Sequence, residues 1–306
     1  MENNNIPSHH GVHDNREVSS GSNETLDLLL NRASCRIFDK KPITDELLKQ
    51  VLEAGNHAPT GGNLQPYSII GIRNESKRKK LSELCGQRFI ARAPVNLLFC
   101  IDWKRMERWA KLSKAPFTAT SSFRHFWISF QDTVICAQNI CTAADAVGLG
   151  SVYIGTSIDL TQELKDMFEL PEKVLPVVLL CLGYPKRASV PRLRLGLDVI
   201  YHEEKYNDQN DAFIVREFEK KYEGHKVPVS GPRLSAFRDV CMNVFGDEAK
   251  VENYLKDIKE KEYFNTAQHV FGLHYKADSM PCGNEEFLKM FKQFGFDWFE
   301  NFEKSE

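Results

Sequence analysis

One stretch decides the fold, Arg32-Ala33-Ser34-Cys35-Arg36-Ile37-Phe38, in which two arginines lie four residues apart with a serine midway between them. An apolar pattern from Leu26 to Leu30 precedes it, and Asn23 is the predicted N-cap of the corresponding helix. The stretch is therefore expected at the end of that helix or just beyond it. Because a guanidinium presents a rigid fork of N–H donors, two arginines and a hydroxyl suit a phosphate or another dianion. The alternative is that the arginines only complement the dipole at the C-terminus of the helix.

The composition excludes several classes of protein. The chain has 306 residues, enough for one large core or two modest domains, and its net charge of -2 gives no general attraction to nucleic acid. No apolar run approaches the ~18 residues of a membrane span, and the N-terminus lacks the apolar core of a signal peptide. We therefore expect a soluble, cytoplasmic protein with no nucleic-acid or membrane partner. None of the eight cysteines belongs to a CxxC pair, and most lie in apolar runs, so buried thiols are expected and no metal site.

The two ends of the chain differ from its middle. Residues 1–22 are predicted to be a disordered tail, in which His9, His10 and His13 are expected to be solvated, with metal binding as the alternative. Residues 285–302 are charged but crowded with aromatic side chains, which need a surface to bury them. That surface is either the main domain or a partner subunit, and the sequence leaves both open.

The hydrophobic pattern predicts both strands and helices. Strands are predicted at 67–72, 95–101, 151–154 and 175–182. Helices are predicted at 44–55, 122–147 and 161–168, with two more within 235–261. The strand at 95–101 is apolar apart from Asn96, as in a sheet covered on both faces. The long helix is predicted to bury a face of small residues that includes Ile128 and Gln131, and Thr161 is the predicted N-cap of the third.

Motifs for several common sites are absent. Gly148-x-Gly150 fails the dinucleotide-binding template because Tyr153 occupies the third glycine position and because the glycines follow a helix instead of a strand. His57, His125 and His202 lie in no hydrolase signature and are interpreted as structural. What remains is a set of cationic segments together with turns at 60–63 and 153–156. A phosphate held by arginines, and a flat ring approached closely by backbone, would explain both groups.

These residues resemble the flavin-dependent nitroreductase family. The RxSxR stretch occurs in the family's order with three further motifs, which are Ala58-Pro59-Thr60-Gly61-Gly62-Asn63-Leu64-Gln65-Pro66, Gly148-Leu149-Gly150-Ser151-Val152-Tyr153-Ile154-Gly155 and Leu182-Gly183-Tyr184-Pro185. Two more resemble the NADPH-dependent nitroreductase and flavin reductase branch, and they are Cys85-Gly86-Gln87-Arg88 and Pro191-Arg192-Leu193-Arg194. The match covers about residues 25–206. Thr60 stands where serine is common in the family, and the segment after Gly231 has no counterpart that can be placed.

The resemblance implies a fold and a function. The fold would be α+β, with a mixed, largely antiparallel sheet flanked by helices, in a homodimer that binds FMN at its interface. Residues 1–22 would form the tail, 23–206 the FMN-binding domain, and 207–306 a linker and a helical, aromatic-rich extension. The function would be NAD(P)H-dependent reduction of nitroaromatics, quinones or flavin by ping-pong hydride transfer. Reductive dehalogenation or flavin fragmentation on the same fold, or non-catalytic flavin storage or sensing, are the alternatives.

The resemblance also implies the site residues. Those expected to bind the cofactor are Arg32, Ala33, Ser34, Cys35, Arg36, Thr60, Asn63, Gln87, Arg88, Tyr153, Ile154, Gly155, Arg192 and Arg194. The residues at 32–36 would hold the phosphate and ribityl chain, with the arginines at 192 and 194 closing on the phosphate. Residues 60 and 63 would reach the flavin from the other subunit, and residues 153–155 would place a backbone N–H near flavin N5. No protein nucleophile is implied, because the flavin carries the chemistry. Arg88 is the candidate that stabilises reduced flavin, and its alternative is a solvated surface arginine.

Overall fold

The structure is a computed structural model that describes residues 23–300. The predicted tail at 1–22, with its three histidines, lies outside the described residues, as does Phe302. The chain divides into two compact units. The first unit comprises residues 23–191 together with 285–300, and the second unit comprises residues 192–284. The predicted boundary of the cofactor-binding domain at residue 206 stays a prediction.

The first unit contains both helices and strands, and the second unit is mostly helical. The helices are α1 Glu24–Leu30, α2 Asp45–Asn56, α3 Glu75–Leu84, α4 Phe89–Arg92, α5 Trp103–Leu112, α6 Phe123–Ala146, α7 Thr161–Phe168, α8 Leu197–Ile200, α9 Asp211–Lys221, α10 Gly231–Phe245, α11 Glu248–Lys261 and α12 Asn284–Gln293. The strands are β1 Tyr67–Ile72, β2 Val95–Asp102, β3 Gly150–Ile154, β4 Val174–Gly183, β5 Val227–Pro228 and β6 Tyr263–Phe264. Short 3-10 helices lie at Gly61–Asn63, Ala119–Ser121 and Gly155–Leu160, and a π-helix at Gln268–His274. The four predicted strands and the helices predicted at 44–55, 122–147 and 161–168 are confirmed within two residues at each end, whereas α10 begins at Gly231, four residues before the predicted start.

A four-stranded sheet in the order β1-β2-β4-β3 forms the centre of the first unit. All three pairs of neighbouring strands are antiparallel. The α+β class is therefore confirmed, while the parallel component of the predicted mixed sheet is not present among the described strands. The reason is topological, because the connections at 73–94 and 155–173 each return the chain in the opposite direction beside its neighbour.

The sheet is covered on both faces, as the apolar run at 95–101 predicts. Every residue of β2 is buried. Leu97 and Phe99 pack into one core with the small residues of α6, while Leu98 and Cys100 pack into a second core on the opposite face. This alternation follows the two-residue period of a strand. The cysteines are free and, apart from the exposed Cys282, buried, as expected from their apolar surroundings.

Two details of the helices differ from the sequence prediction. In α6 Gln131, which was predicted on the buried face, is exposed, and its neighbour Asp132 is buried. Asp132 was not predicted there because a carboxylate is rarely buried unless it has a partner. Thr161 is the first residue of α7 instead of its N-cap, and Leu160 precedes it without a side-chain cap.

The C-terminal aromatic residues pack into the core of the first unit. Phe294 and Phe296 are fully buried there. The ring of Phe296 stacks on that of Trp103, with centroids 4.8 Å apart, and Phe126 meets Phe291 edge to face at 5.3 Å. Of the two surfaces that the sequence left open, these side chains use the chain's own domain.

The second unit has a small core of its own. Helices α10 and α11 pack with β6 around Phe237, Val251, Ile258 and Phe264. The two helices predicted within 235–261 are thus present. No helix among residues 23–300 is long and apolar enough to cross a membrane.

Candidate active site

The Arg32–Phe38 stretch runs along the edge of the sheet beyond α1. Asn23 caps α1 by accepting a hydrogen bond from the Thr25 N–H, as predicted. After α1 ends, the backbone N–H of Cys35 donates to the Ser151 carbonyl of β3 at 2.8 Å. Phe38 then forms a β-bridge with Pro185 beyond β4. The alternative role for the arginines at the α1 dipole is not supported, because the last turn of α1 contains no basic residue.

Arg32 is anchored through one nitrogen. Its Nε donates to Cys141 Sγ at 3.3 Å and lies 3.8 Å from Asp145 Oδ2, both near the C-terminal end of α6. A guanidinium has five N–H groups, four of them on its terminal nitrogens. Among residues 23–300 neither terminal nitrogen of Arg32 has a hydrogen-bond partner. The side chain is therefore held in place while the edge that suits an anion remains available, which fits a phosphate.

Burial makes Asp145 a weak acid. Loss of solvation raises the pKa of its carboxyl from 3.8 to about 6, although the Arg32 guanidinium opposes that rise. The pKa of the Cys35 thiol is also raised by burial. Both groups lie beside the predicted phosphate-binding stretch, so this part of the first unit is expected to respond to pH.

Asp145→Asn is expected to change how stability depends on pH. The folded chain holds the Asp145 proton more tightly than the unfolded chain, so between about pH 4 and pH 6 the unfolded state loses its proton first. This lowers the free energy of unfolding as the pH rises, by up to roughly 3 kcal/mol at 1.36 kcal/mol per pKa unit. Above about pH 6 the group causes no further change. Urea denaturation from pH 4 to pH 7 should show a smaller fall in stability for Asp145→Asn than for the wild type. The exposed Asp166→Asn is the control, and equal pH dependence of Asp145→Asn and wild type would contradict the assignment.

The other residues of the stretch differ in exposure. Ala33 and Ser34 are half-buried, and Arg36 is exposed. Cys35 is buried, and a Cβ placed on Gly150 would stand 2.6 Å from the Cys35 Cβ, so this residue packs against β3. Its predicted place in the cofactor site could therefore involve its backbone, whereas its thiol serves packing.

The turn at 153–155 lies beside the Gln87 segment. Gln87 Nε2 donates to Thr156 Oγ1 at 3.4 Å, so the two predicted segments meet. Tyr153 is half-buried and Ile154 is buried. Gly155 is exposed, and a Cβ placed there would have no atom within 4 Å. This open backbone fits the close approach of a flat ring.

Arg88 and the two later arginines are exposed. Arg88 precedes α4 in the first unit, directly after Gln87. Arg192 and Arg194 lie in the second unit, in the extended segment before α8. Their predicted convergence on a phosphate stays a prediction.

Residues 60–65, which we call the Thr60 loop, are anchored in the N-terminal half of α6. Thr60 Oγ1 donates to Asp132 Oδ2 at 2.7 Å. Asp132 and Asp145 are 13 residues apart on the same helix, which corresponds to about 20 Å at 1.5 Å per residue. The Thr60 loop and the Arg32 guanidinium are thus anchored far apart within one chain.

The sequence interpretation missed the residues that hold these groups. Asp132, Cys141 and Asp145 lie on α6 and make contacts to residues more than 70 positions away. The sequence carried one signal for Asp132, because it falls three residues after Ser129 and four before Cys136, on the buried face of α6. A lone acid on a face of small residues indicates a partner elsewhere in the fold.

Comparison with known proteins places these segments in a family context. The sequence model described as "Nitroreductase family" matches residues 29–184. The chain is 28% identical over 248 residues to the FMN reductase (NADPH) of Bacillus subtilis, covering 79% of this chain and 99% of that protein. It is 30% identical over 216 residues to the oxygen-insensitive NADPH nitroreductase of Salmonella typhimurium, covering 70% of this chain and 88% of that protein.

Solved structures share much of this fold. NfrA2 of B. megaterium superposes with a TM-score of 0.69 at 25% identity, covering 92% of this chain and 100% of that one. The NADPH:FMN oxidoreductase from Vibrio harveyi, solved in complex with NAD+, gives a TM-score of 0.60 at 31% identity, covering 65% of this chain and 86% of that one. The region matched by the family model contains the Arg32 stretch, the Thr60 loop and the turn at 153–155, but neither Arg192 nor Arg194.

Proposed function

Because the chain belongs to the nitroreductase family, we propose that it is a flavin-dependent oxidoreductase that binds FMN, takes electrons from NADPH or NADH, and reduces nitroaromatics, quinones or flavin. One observation carries the cofactor assignment. Arg32 is fixed through Nε, and its terminal nitrogens have no hydrogen-bond partner among the described residues. Such an arrangement binds a dianion with little rearrangement.

Each segment of the site has a role in this proposal. Bound FMN supplies the hydride chemistry, so the protein's part is binding, orientation and electrostatics. Arg32, Ser34 and Arg36 hold the phosphate and ribityl chain, with Arg192 and Arg194 closing on the phosphate. The open backbone at Gly155 accepts the ring at close distance, with Tyr153 and Ile154 fixing the turn. Gln87 and Arg88 face the pyrimidine side, where the Arg88 cation stabilises negative charge on the reduced ring.

A homodimer completes the proposed site. On α6 an apolar stripe of Phe123, Trp127 and Phe130 is 51%, 53% and 37% exposed. Positions i, i+4 and i+7 share one helix face, and a contiguous apolar face of this kind is typical of an interface. The same helix anchors both Arg32 and the Thr60 loop, so an interface that includes α6 would lie close to both parts of the proposed site. Small-molecule oxidants would then react at two shared sites.

Purified protein tests the function directly. It should be yellow, with the absorbance of oxidised flavin, and it should bleach anaerobically with NADPH or NADH. Reoxidation by a nitroaromatic or a quinone should restore the colour. Colourless protein that takes up no added FMN would count decisively against the proposal, whereas tight FMN without bleaching would favour storage or sensing.

Arg36→Ala and Arg194→Ala are each expected to weaken FMN binding. The loss of a hydrogen bond to a charged group should cost roughly 1.5–3 kcal/mol, which is about a 10- to 150-fold rise in Kd. Titration of apoprotein with FMN, followed by quenching of flavin fluorescence, measures this. Arg108→Ala removes an exposed arginine of α5 outside the predicted site and serves as the control. Unchanged affinity in both site variants would remove the phosphate assignment.

A further inference from the structure

The Thr60 loop is held by a buried acid that no part of the proposed function yet uses. Asp132 lies on α6 and is 4% exposed. Its Oδ2 accepts from Thr60 Oγ1 at 2.7 Å, and the Gly61 N–H is 3.1 Å from each of its two oxygens. Thr60 Oγ1 in turn accepts from the Gln65 N–H at 3.1 Å. One carboxylate and one hydroxyl therefore fix both the start and the end of the loop.

The backbone between these two ends adopts conformations that require such fixing. Gly62, Asn63 and Gln65 have φ values of 59°, 55° and 50°. A positive φ is strained for a residue with a side chain and persists where the surroundings hold it. The loop also lies tightly on α6, because a Cβ placed on Gly61 would be 2.9 Å from Ile128 Cγ2. The result is a shaped segment that leaves Asn63 exposed.

We propose that Asp132 is a positioning residue that, through Thr60, holds the Thr60 loop in the shape that binds the flavin of the partner subunit. The inference rests on the proposed function, because FMN binding gives the shape of the loop its role. A carboxylate is required because it accepts from both donors at once. Asparagine has one acceptor oxygen, and its amide N–H groups would face either the Thr60 hydroxyl or the Gly61 N–H. A buried charge that serves packing alone would be expensive, whereas one that accepts several hydrogen bonds is stable.

The chain offers matched variants to separate positioning from folding. Thr60→Val has nearly the same shape but removes the hydroxyl, and Thr60→Ser keeps it. Asp132→Asn keeps the size of the side chain and removes the second acceptor. Ser129→Ala is the structural control, because Ser129 Oγ is buried one turn earlier on α6 and accepts from Trp103 Nε1 at 2.9 Å, away from the loop.

The test measures FMN affinity and thermal stability of the full chain in parallel. Thr60→Val and Asp132→Asn should each raise the Kd for FMN by about 10- to 100-fold, the range for groups displaced by about 1 Å. In the double variant the Kd for FMN should rise no further than in the more strongly affected single variant, because the two residues act as a unit. Thr60→Ser should bind like wild type, and Ser129→Ala should lower Tm without changing the Kd. In steady-state assays, kcat of Thr60→Val and Asp132→Asn should approach the wild-type value at saturating FMN, because the excess cofactor offsets the weaker binding.

Two outcomes would overturn the inference. The first is wild-type FMN affinity in Thr60→Val, which remains informative even where Asp132→Asn does not fold. The second is a rise in the Kd for FMN in Ser129→Ala that accompanies its fall in Tm, since general destabilisation would then account for the weaker FMN binding of the other variants. Failure of the proposed function is recognised separately, because the wild-type chain would then bind no FMN at all.

Discussion

Phe296→Ala is expected to lower the free energy of unfolding by about 3–5 kcal/mol, the range for truncating a buried phenylalanine. The side chain is fully buried, its ring stacks on Trp103 at 4.8 Å, and Phe126 meets it edge to face at 6.2 Å. Truncation removes both aromatic contacts and leaves a cavity beside β2, which the surrounding rings fill only in part. Urea denaturation followed by tryptophan fluorescence and circular dichroism measures the change.

Phe271→Ala is the matched control for this prediction. Its side chain is 54% exposed, so the same chemical change should alter stability by no more than about 0.5 kcal/mol. A loss of less than about 1 kcal/mol in Phe296→Ala would mean that the C-terminal segment is not part of the core of the first unit.

The position of Phe296 also decides how the C-terminal region should be probed. The chain leaves the first unit at residue 191 and returns to it at 285. A truncation at Gly231 would therefore delete Phe294 and Phe296 from the core that supports β2. Any loss of dimer or change of substrate range in such a truncation would reflect damage to that core. Point substitutions within 192–284 are the cleaner probes of the second unit.

The sheet was predictable because its strands carry their own signals. The run at 95–101 is apolar apart from Asn96, and the structure buries it on both faces, with β1 lying at the predicted residues. The pairing order was not predictable in the same way. The strands neighbour each other in the order β1-β2-β4-β3, which depends on contacts between segments far apart in sequence. The resemblance supplied the α+β class and a largely antiparallel sheet, while the lack of a parallel pair among the described strands follows from the connections.

The candidate site also contains one part that was predictable from the sequence and one part that was not. The Arg32–Arg36 motif is contiguous, so its residue types and spacing were readable. The residues that orient it are not contiguous, because Cys141 and Asp145 reach Arg32 only through the packing of α6. Asp132 was missed for the same reason, although its place on the buried face of α6 was a usable signal. Motifs therefore locate the groups that touch a ligand, and the fold locates the groups that hold them.

Mixed dimers of two defective subunits are expected to bind FMN at a limiting concentration where either defective homodimer binds little. One subunit carries Arg36→Ala, which damages the phosphate site, and the other carries Thr60→Val, which damages the loop. If each cofactor lies between the arginines of one subunit and the loop of the other, the mixed dimer has one site built from two intact parts. Flavin content at a limiting FMN concentration should then be about half that of wild type. Differently tagged subunits, co-expressed and purified on both tags, provide the sample.

The reciprocal dimer distinguishes shared sites from sites within one chain. Here one subunit carries both substitutions and its partner is wild type. Shared sites would each contain one damaged part, so this dimer should bind FMN poorly at the same concentration. Sites formed within a single chain predict the reverse. The reciprocal dimer would then keep one intact site in its wild-type subunit, whereas the first mixed dimer would have no intact site. Flavin in this reciprocal dimer together with its absence from the mixed dimer would therefore overturn the shared arrangement.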